Sequence, residues 1–253
     1  MIKQIPNLFT LLNLVFGCLA IICILQTGET FMIMQEGQWI AQLPEKIWWG
    51  SICIFIAAAI DFLDGFVARL FKATSPLGAQ LDSLADVVSF GVAPGLIMYQ
   101  LLRISFIGEE SGLDTYVLYL MPALLIPCAG AYRLARFNID PQQSEGFKGV
   151  PIPAVGLIVA SLPIILLYNY FGLTPLILNK WVLYSLIVLL SYLMVSTLPL
   201  MALKFKNFSF KDNAAKFILL ATGIVAAILL KWLAIPVVFV LYIVLSLSFK
   251  TKR

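Results

Sequence analysis

Histidine is absent from the chain, and with it go imidazole bases, imidazole metal ligands and any Ser-His-Asp arrangement. Charge is scarce as well: 12% of the 253 residues are Asp, Glu, Lys or Arg, against 61% hydrophobic. A water-soluble domain of this size could not hide so much apolar surface, so the chain reads as an integral membrane protein. The four cysteines, Cys18, Cys23, Cys53 and Cys128, lie in apolar stretches without CxxC spacing. That spacing indicates neither a zinc site nor a disulfide framework, and the thiols are expected to pack in the core. The formal charge of +4 comes from basic residues scattered through short connections; without a single basic stripe, no nucleic-acid partner is expected. No repeat of fixed period and no low-complexity linker divides residues 1–253, which read as one membrane-embedded domain.

What is there is a series of long apolar runs. About 20 such residues cross a bilayer as a helix, and runs of that kind lie near 7–26, 47–71, 77–101, 115–136, 152–170, 177–198, 214–230 and 232–249. The expected fold class is an all-α integral membrane protein, a polytopic bundle of about eight transmembrane helices. The last two runs are short and parted only by Lys231 and Trp232, so a re-entrant pair or one long helix kinked at Pro236 stands beside two crossings. The first run follows one lysine, lacks a small-residue cleavage site and is read as retained. Eight crossings put both termini on one side. That side carries Lys3, Arg69, Lys72, Arg133, Arg136, Lys148, Lys204, Lys206, Lys211, Lys216, Lys250, Lys252 and Arg253. The other side carries only Lys46, Arg103, Lys180 and Lys231, with Glu29, Glu36, Glu45, Glu109, Glu110 and Asp114. The positive-inside rule then puts the termini and the 69–76 connection in the cytoplasm, in the cytoplasmic membrane. Trp48, Trp49, Trp181 and Trp232 fall near the ends of spans, as interfacial aromatics do.

Into this apolar chain residues 61–86, DFLDGFVARLFKATSPLGAQLDSLAD, set four carboxylates, each costly in a bilayer unless compensated. Asp61, Asp64, Gly65 and Ala68 follow the i, i+3, i+4, i+7 rule and share one stripe at the end of the second span, which Arg69 closes. Thr74 and Ser75 can cap the next helix, Pro76 suits its first turn, and Gly78, Asp82 and Asp86 recur every four residues along one face. On antiparallel neighbours the two stripes would meet. Gly65, Ala68 and Gly78 remove bulk there, either for close helix approach or for a ligand. Four anions at such range repel unless cations intervene, and hard oxygen ligands favour Mg²⁺, Mn²⁺ or Ca²⁺. Two divalent ions would balance four carboxylates. Salt bridges to Arg69, Lys72 and Arg133, or the ion site of a cation-coupled transporter, are the alternatives. Transport sites usually sit near mid-membrane, whereas these acids lie a few turns from the basic face, where a lipid presents its headgroup.

The same stretch matches without a gap the pattern DxxDGxxAR, eight residues, GxxxDxxxD, and so resembles the signature of the CDP-alcohol phosphotransferase family. The resemblance implies a membrane enzyme that replaces CMP on a CDP-linked lipid or alcohol by another hydroxyl compound. It implies two divalent cations, Mg²⁺ or Mn²⁺, one on Asp61, Asp64 and Asp82 and the other on Asp61, Asp82 and Asp86, with Asp86 also the general base. Gly65, Ala68, Arg69, Ser75 and Gly78 would contact the CDP-lipid, and a homodimer is expected on the same ground.

Four further segments, PNLFTLLNLVFG (6–17), LDSLADVVSFGVAPG (81–95), YRLARFN (132–138) and FKGVPIPA (147–154), resemble in the same order those of the family's serine-using branch. That implies CDP-diacylglycerol and L-serine as substrates, with direct displacement of CMP; glycerol 3-phosphate or inositol phosphate are the alternative acceptors. Asn7, Thr10 and Asn13, at i, i+3, i+6, could offer amides and a hydroxyl to cytosine or phosphate, or else make caps and interhelical bonds. Arg133, Arg136 and Asn138 end the fourth span on the side of the acids. A guanidinium there can grip the carboxylate of serine with two parallel bonds, or snorkel to lipid headgroups. Around Lys148, Pro151 and Pro153 prevent regular helix, which either shapes the acceptor pocket or gives the fifth span a rigid start. From about residue 177 the chain is less diagnostic.

Overall fold

The computed structural model describes residues 5–26, 32–35, 38–41, 46–70, 75–107, 115–139, 147–201 and 210–248. Lys3, Glu29, Glu36, Glu45, Lys72, Thr74, Glu109, Glu110, Asp114, Lys204, Lys206, Lys250, Lys252 and Arg253 lie outside the described residues, as do the side chains of Ala68, Lys148 and Lys211.

The apolar runs become helices in the expected order: α1 (Ile5–Leu25), α2 (Ile47–Leu70), α3 (Pro76–Asp86) running on into α4 (Ala93–Ile107), α5 (Val117–Leu120) and α6 (Leu125–Ile139), α7 (Ile152–Tyr168), α8 (Thr174–Ile177), α9 (Lys180–Val195), α10 (Phe210–Leu230) and α11 (Ala234–Ser248). Among the described residues, five helical stretches are long and apolar enough to cross a membrane: Pro6–Leu25, Ile47–Val67, Pro76–Ile107, Val117–Ile139 and Asn213–Ser248. The protein is an all-α membrane protein. Of the alternatives at the C-terminal end, a single helix kinked at Pro236 is ruled out. The break falls at Lys231–Leu233, a 3₁₀ turn with Lys231 at φ 52, and Gly223 faces Val238 across it, so α10 and α11 form an antiparallel hairpin.

Two small pairings join connections. Strands β1 (Met32–Gln35) and β2 (Gln38–Ala41) pair antiparallel, Met32 opposite Ala41, in the connection between α1 and α2. Strand β3 (Phe147–Lys148) pairs with β4 (Pro199–Leu200). Beyond β3, the Gly149 and Val150 N–H groups donate to the carbonyls of Leu198 and Leu193. Gly149 has φ +75, and an added Cβ would lie 2.6 Å from the Met194 carbonyl oxygen. FKGVP is therefore a strap on the end of α9 that only glycine can complete.

Side-chain contacts sort the helix ends into two faces. On one, Asn138 donates to Ser83, Arg136 to the Val195 carbonyl and Tyr242 to the Met201 carbonyl. On the other, Tyr184 donates to the Tyr119 carbonyl, Lys180 lies 5.1 Å from the Phe106 ring centre and Lys231 3.4 Å from that of Tyr170. The core is built around α7, where Val155, Val159 and Ala160 are fully buried, and Phe90 sits on Gly156. Between α3 and α4, Val87–Val92 takes a π-helical turn in which Ala93 N–H donates to the Val88 carbonyl. Pro94 follows, and its missing N–H would otherwise break the α ladder; the wider turn absorbs it.

The expectation that all four cysteines pack in the core is not met. Cys18 and Cys128 are exposed, and Cys23 and Cys53 are half-buried. Lipid is as apolar as the interior, so an outward thiol has nothing to lose there.

Candidate metal centre

The turn between α2 and α3 sets the site. Ser75 N-caps α3, its side chain accepting from Gly78 N–H at 3.0 Å with Pro76 in the first turn, as its sequence predicts. The cap starts α3 with Asp82 and Asp86 on the face turned to α2. Asp64 and Asp82 each lie six residues from the helix ends at Leu70 and Pro76, about 9 Å along the axis. Asp61 and Asp86 lie about 14–15 Å in by the same rise.

Asp61, Asp64 and Asp82 each offer a carboxylate oxygen within 4.8 Å of the others. At that range each pair of charges repels by roughly 3 kcal/mol, taking an effective dielectric of about 20. Such a cluster suits a hard divalent cation, whose oxygen ligands stand about 2.0–2.6 Å from it. Asp86 is buried one turn deeper and lies within hydrogen-bonding reach of Asp61. It is influenced by the charges of Asp61, Asp82, Asp64 and Arg133. Among the described residues its Oδ1 has no partner. The other buried atoms without partners include Arg133 Nε and both amide atoms of Asn13. Orphaned polar atoms of this kind mark a place for an ion, a ligand or water, and the oxygen-only donor set fits Mg²⁺ or Mn²⁺.

The small residues play separate parts. A Cβ added at Gly78 would lie 3.0 Å from Asn7 Oδ1, so this glycine lets α1 come close. At Gly65 the nearest neighbour would be Arg69 Nη1 at 3.8 Å, which leaves room beside the acids. Thr10 is buried and its hydroxyl lies 2.8 Å from Asp64 Oδ2. Asn13 is fully buried; its carbonyl accepts from the Ser89 hydroxyl at 3.1 Å. Gly17 makes that approach possible, since a Cβ there would overlap Ser89. Arg69 is exposed at the end of α2.

On α6, Arg133 is buried and its guanidinium lies 5.3 Å from the Phe137 ring centre. It is buried within electrostatic range of Asp86 rather than snorkelling. Arg136 Nη1 donates to the Val195 carbonyl at 2.9 Å, tying α6 to α9, and Asn138 Nδ2 donates to Ser83 Oγ at 2.9 Å, tying α6 to α3. Ser83 and Ser89 were not singled out in sequence. The one signal they carry is position, one and three residues beyond Asp82 and Asp86. Toward the bilayer, Phe62, Phe66, Leu77 and Leu84 stand exposed beside the acids, Phe62 at 70%.

Comparison with known proteins agrees with this geometry. Residues 3–204 match the sequence model of the CDP-alcohol phosphatidyltransferase family. A Bacillus subtilis protein named CDP-diacylglycerol–serine O-phosphatidyltransferase is 37% identical over 134 residues, covering 50% of this chain and 70% of that one. Proteins of the same name from Helicobacter pylori and Mycobacterium leprae are 40% identical over 172 residues and 34% over 203. Those alignments cover 66% and 76% of this chain, but 65% and 63% of the relatives, so the chain spans about two thirds of their length. With most of its length inside the family match, acidic signature included, the chain belongs to the CDP-alcohol phosphatidyltransferase family.

Proposed function

We propose that the protein transfers the phosphatidyl group of CDP-diacylglycerol to the hydroxyl of L-serine, giving phosphatidylserine and CMP. The observation that carries this reading is the acidic cluster, with Asp64 and Asp86 buried and Arg133 within electrostatic range, at one end of a membrane bundle whose relatives bear the name of that reaction. Asp61, Asp64 and Asp82 would hold one divalent cation and Asp61, Asp82 and Asp86 a second. When bound, these ions supply charge neutralisation at the diphosphate and help CMP depart.

The chain's own groups do the rest. Asp86 takes the proton of the serine hydroxyl; its Oδ1, without a donor among the described residues, is the acceptor. The serine oxygen bonds to the phosphorus that carries diacylglycerol, the bond from that phosphorus to the bridging oxygen breaks, and CMP leaves with the electron pair. No separate nucleophile is evident, which favours direct displacement. Arg133 holds the serine carboxylate. Arg136 and Asn138, engaged with Val195 and Ser83, keep α6 against α9 and α3 and shape that end of the pocket. Asn7, Asn13, Gly65, Ala68, Arg69, Ser75 and Gly78 are assigned to the CDP-lipid; the open space at Gly65 supports this. The acyl chains lie along Phe62 and Phe66. The excess of basic residues on the face of the acids supports a cytoplasmic orientation, and two copies of this single domain would form the homodimer.

The test is CMP release by detergent-purified protein given CDP-diacylglycerol. Release is expected only with serine and Mg²⁺ or Mn²⁺ present. Release with glycerol 3-phosphate or inositol phosphate in place of serine would keep the family and discard the acceptor. No release at all, with metal-dependent ion flux in vesicles, would favour a transporter. On the same assay, Arg133→Ala is expected to raise the KM for serine tenfold to about a hundredfold, the usual range for losing a charged hydrogen bond. The KM for CDP-diacylglycerol is expected to move much less. An unchanged serine dependence would remove Arg133 from the acceptor site.

A further inference from the structure

Thr10 is the residue of α1 whose hydroxyl reaches the acidic cluster itself. A hydroxyl has one proton to give, and two acceptors lie in reach: Asp64 Oδ2 at 2.8 Å and the Pro6 carbonyl at 3.2 Å. The carboxylate is nearer, and a bond to an ionised acceptor is about twice as strong as one to a neutral carbonyl. The proton therefore goes to Asp64. The two residues are 54 positions apart in sequence, so α1 as a whole must be held in place for them to meet. It is clamped on both sides of Thr10, by Asn7 against Gly78 and by the Asn13 carbonyl on Ser89.

Asp64 is one of the three residues that bring carboxylate oxygens within 4.8 Å of one another. A bond to one of its oxygens fixes the rotation of the carboxylate and leaves the second oxygen for a cation. We propose that Thr10 is a positioning residue for Asp64, through which α1 sets the affinity of the acidic cluster for a divalent ion. The proposal rests on the metal reading of that cluster. Thr10 then has no contact with nucleotide or acceptor and acts through Asp64 alone. Groups that orient a ligating carboxylate typically govern metal affinity by about 10–100-fold.

Titration of the full-length protein in detergent with Mn²⁺, following the electron paramagnetic resonance signal of the free ion, reads affinity without turnover. Thr10→Val keeps the shape and removes the hydroxyl; it is expected to weaken Mn²⁺ binding at least about tenfold. Thr10→Ser keeps the hydroxyl and is expected to stay within about threefold of wild type on the same principle. If Thr10→Val does not yield folded protein, Thr10→Cys, a much poorer donor, takes its place with the same expected direction. Wild-type affinity in the variant lacking the hydroxyl would overturn the proposal and leave the metal reading intact. Equal weakening in Thr10→Ser would also overturn it, since methyl packing would then be the cause. A wild-type protein that binds no Mn²⁺ would overturn the metal reading itself, and the proposal with it.

Discussion

Asp86→Asn is expected to lower turnover about a thousandfold or more while CDP-diacylglycerol still binds. The substitution keeps size and shape, so packing at this buried position survives; what it removes is a negative charge and a proton acceptor. General base catalysis contributes about 10²–10⁴-fold, and about a thousandfold corresponds to roughly 4 kcal/mol of barrier. Asp86 sits where α3 gives way to the π turn, with Oδ1 free of donors among the described residues. An oxygen that no N–H or O–H already occupies is well placed to accept a proton from an incoming hydroxyl. Binding of labelled CDP-diacylglycerol and single-turnover CMP release, measured on the same preparation, separate the base from a purely structural residue. Near-normal turnover in Asp86→Asn would remove Asp86 from that role.

Removing divalent ions with a chelator is expected to bring CMP release to background, and adding Mg²⁺ or Mn²⁺ is expected to restore it. The physical ground is the mutual repulsion of Asp61, Asp64 and Asp82 within 4.8 Å, which no monovalent ion offsets as well. The same cluster links binding to stability. An ion present at about a hundred times its Kd stabilises the folded state by about 2.7 kcal/mol, several degrees in Tm for a chain of this size. Asp61→Asn is expected to abolish that rise, since Asp61 belongs to both proposed ligand sets. Headgroup transfer that continues undiminished in chelator, with no metal-dependent change in Tm, would sink the metal site.

The acids were legible because helical spacing is local. Asp61 and Asp64 lie three residues apart and Asp82 and Asp86 four, so each pair shares a face whatever the rest of the chain does. The Ser75–Pro76 start of α3 was legible for the same reason. Contacts between distant segments were not. Nothing near Thr10 announces Asp64, and nothing in YRLARFN says that Arg133 is buried within electrostatic range of Asp86 while Arg136 reaches the Val195 carbonyl. Both arginines sit on a helix end where either could reach water. The cysteines misled because hydrophobicity sorts residues into water or not water, and a bilayer puts apolar surface on both sides of that division. The π turn hid inside an unbroken apolar run whose proline, in isolation, reads as a kink or a stop.

Phe62, Phe66, Leu77 and Leu84 leave the flank of the acidic cluster greasy and open to the side. A headgroup-exchanging site of that shape needs no tunnel for its lipid, because the tails never have to leave the hydrocarbon. The starting lipid and the finished one then occupy the same leaflet. Under the proposed activity, any product found in the opposite monolayer would have been carried there by other machinery.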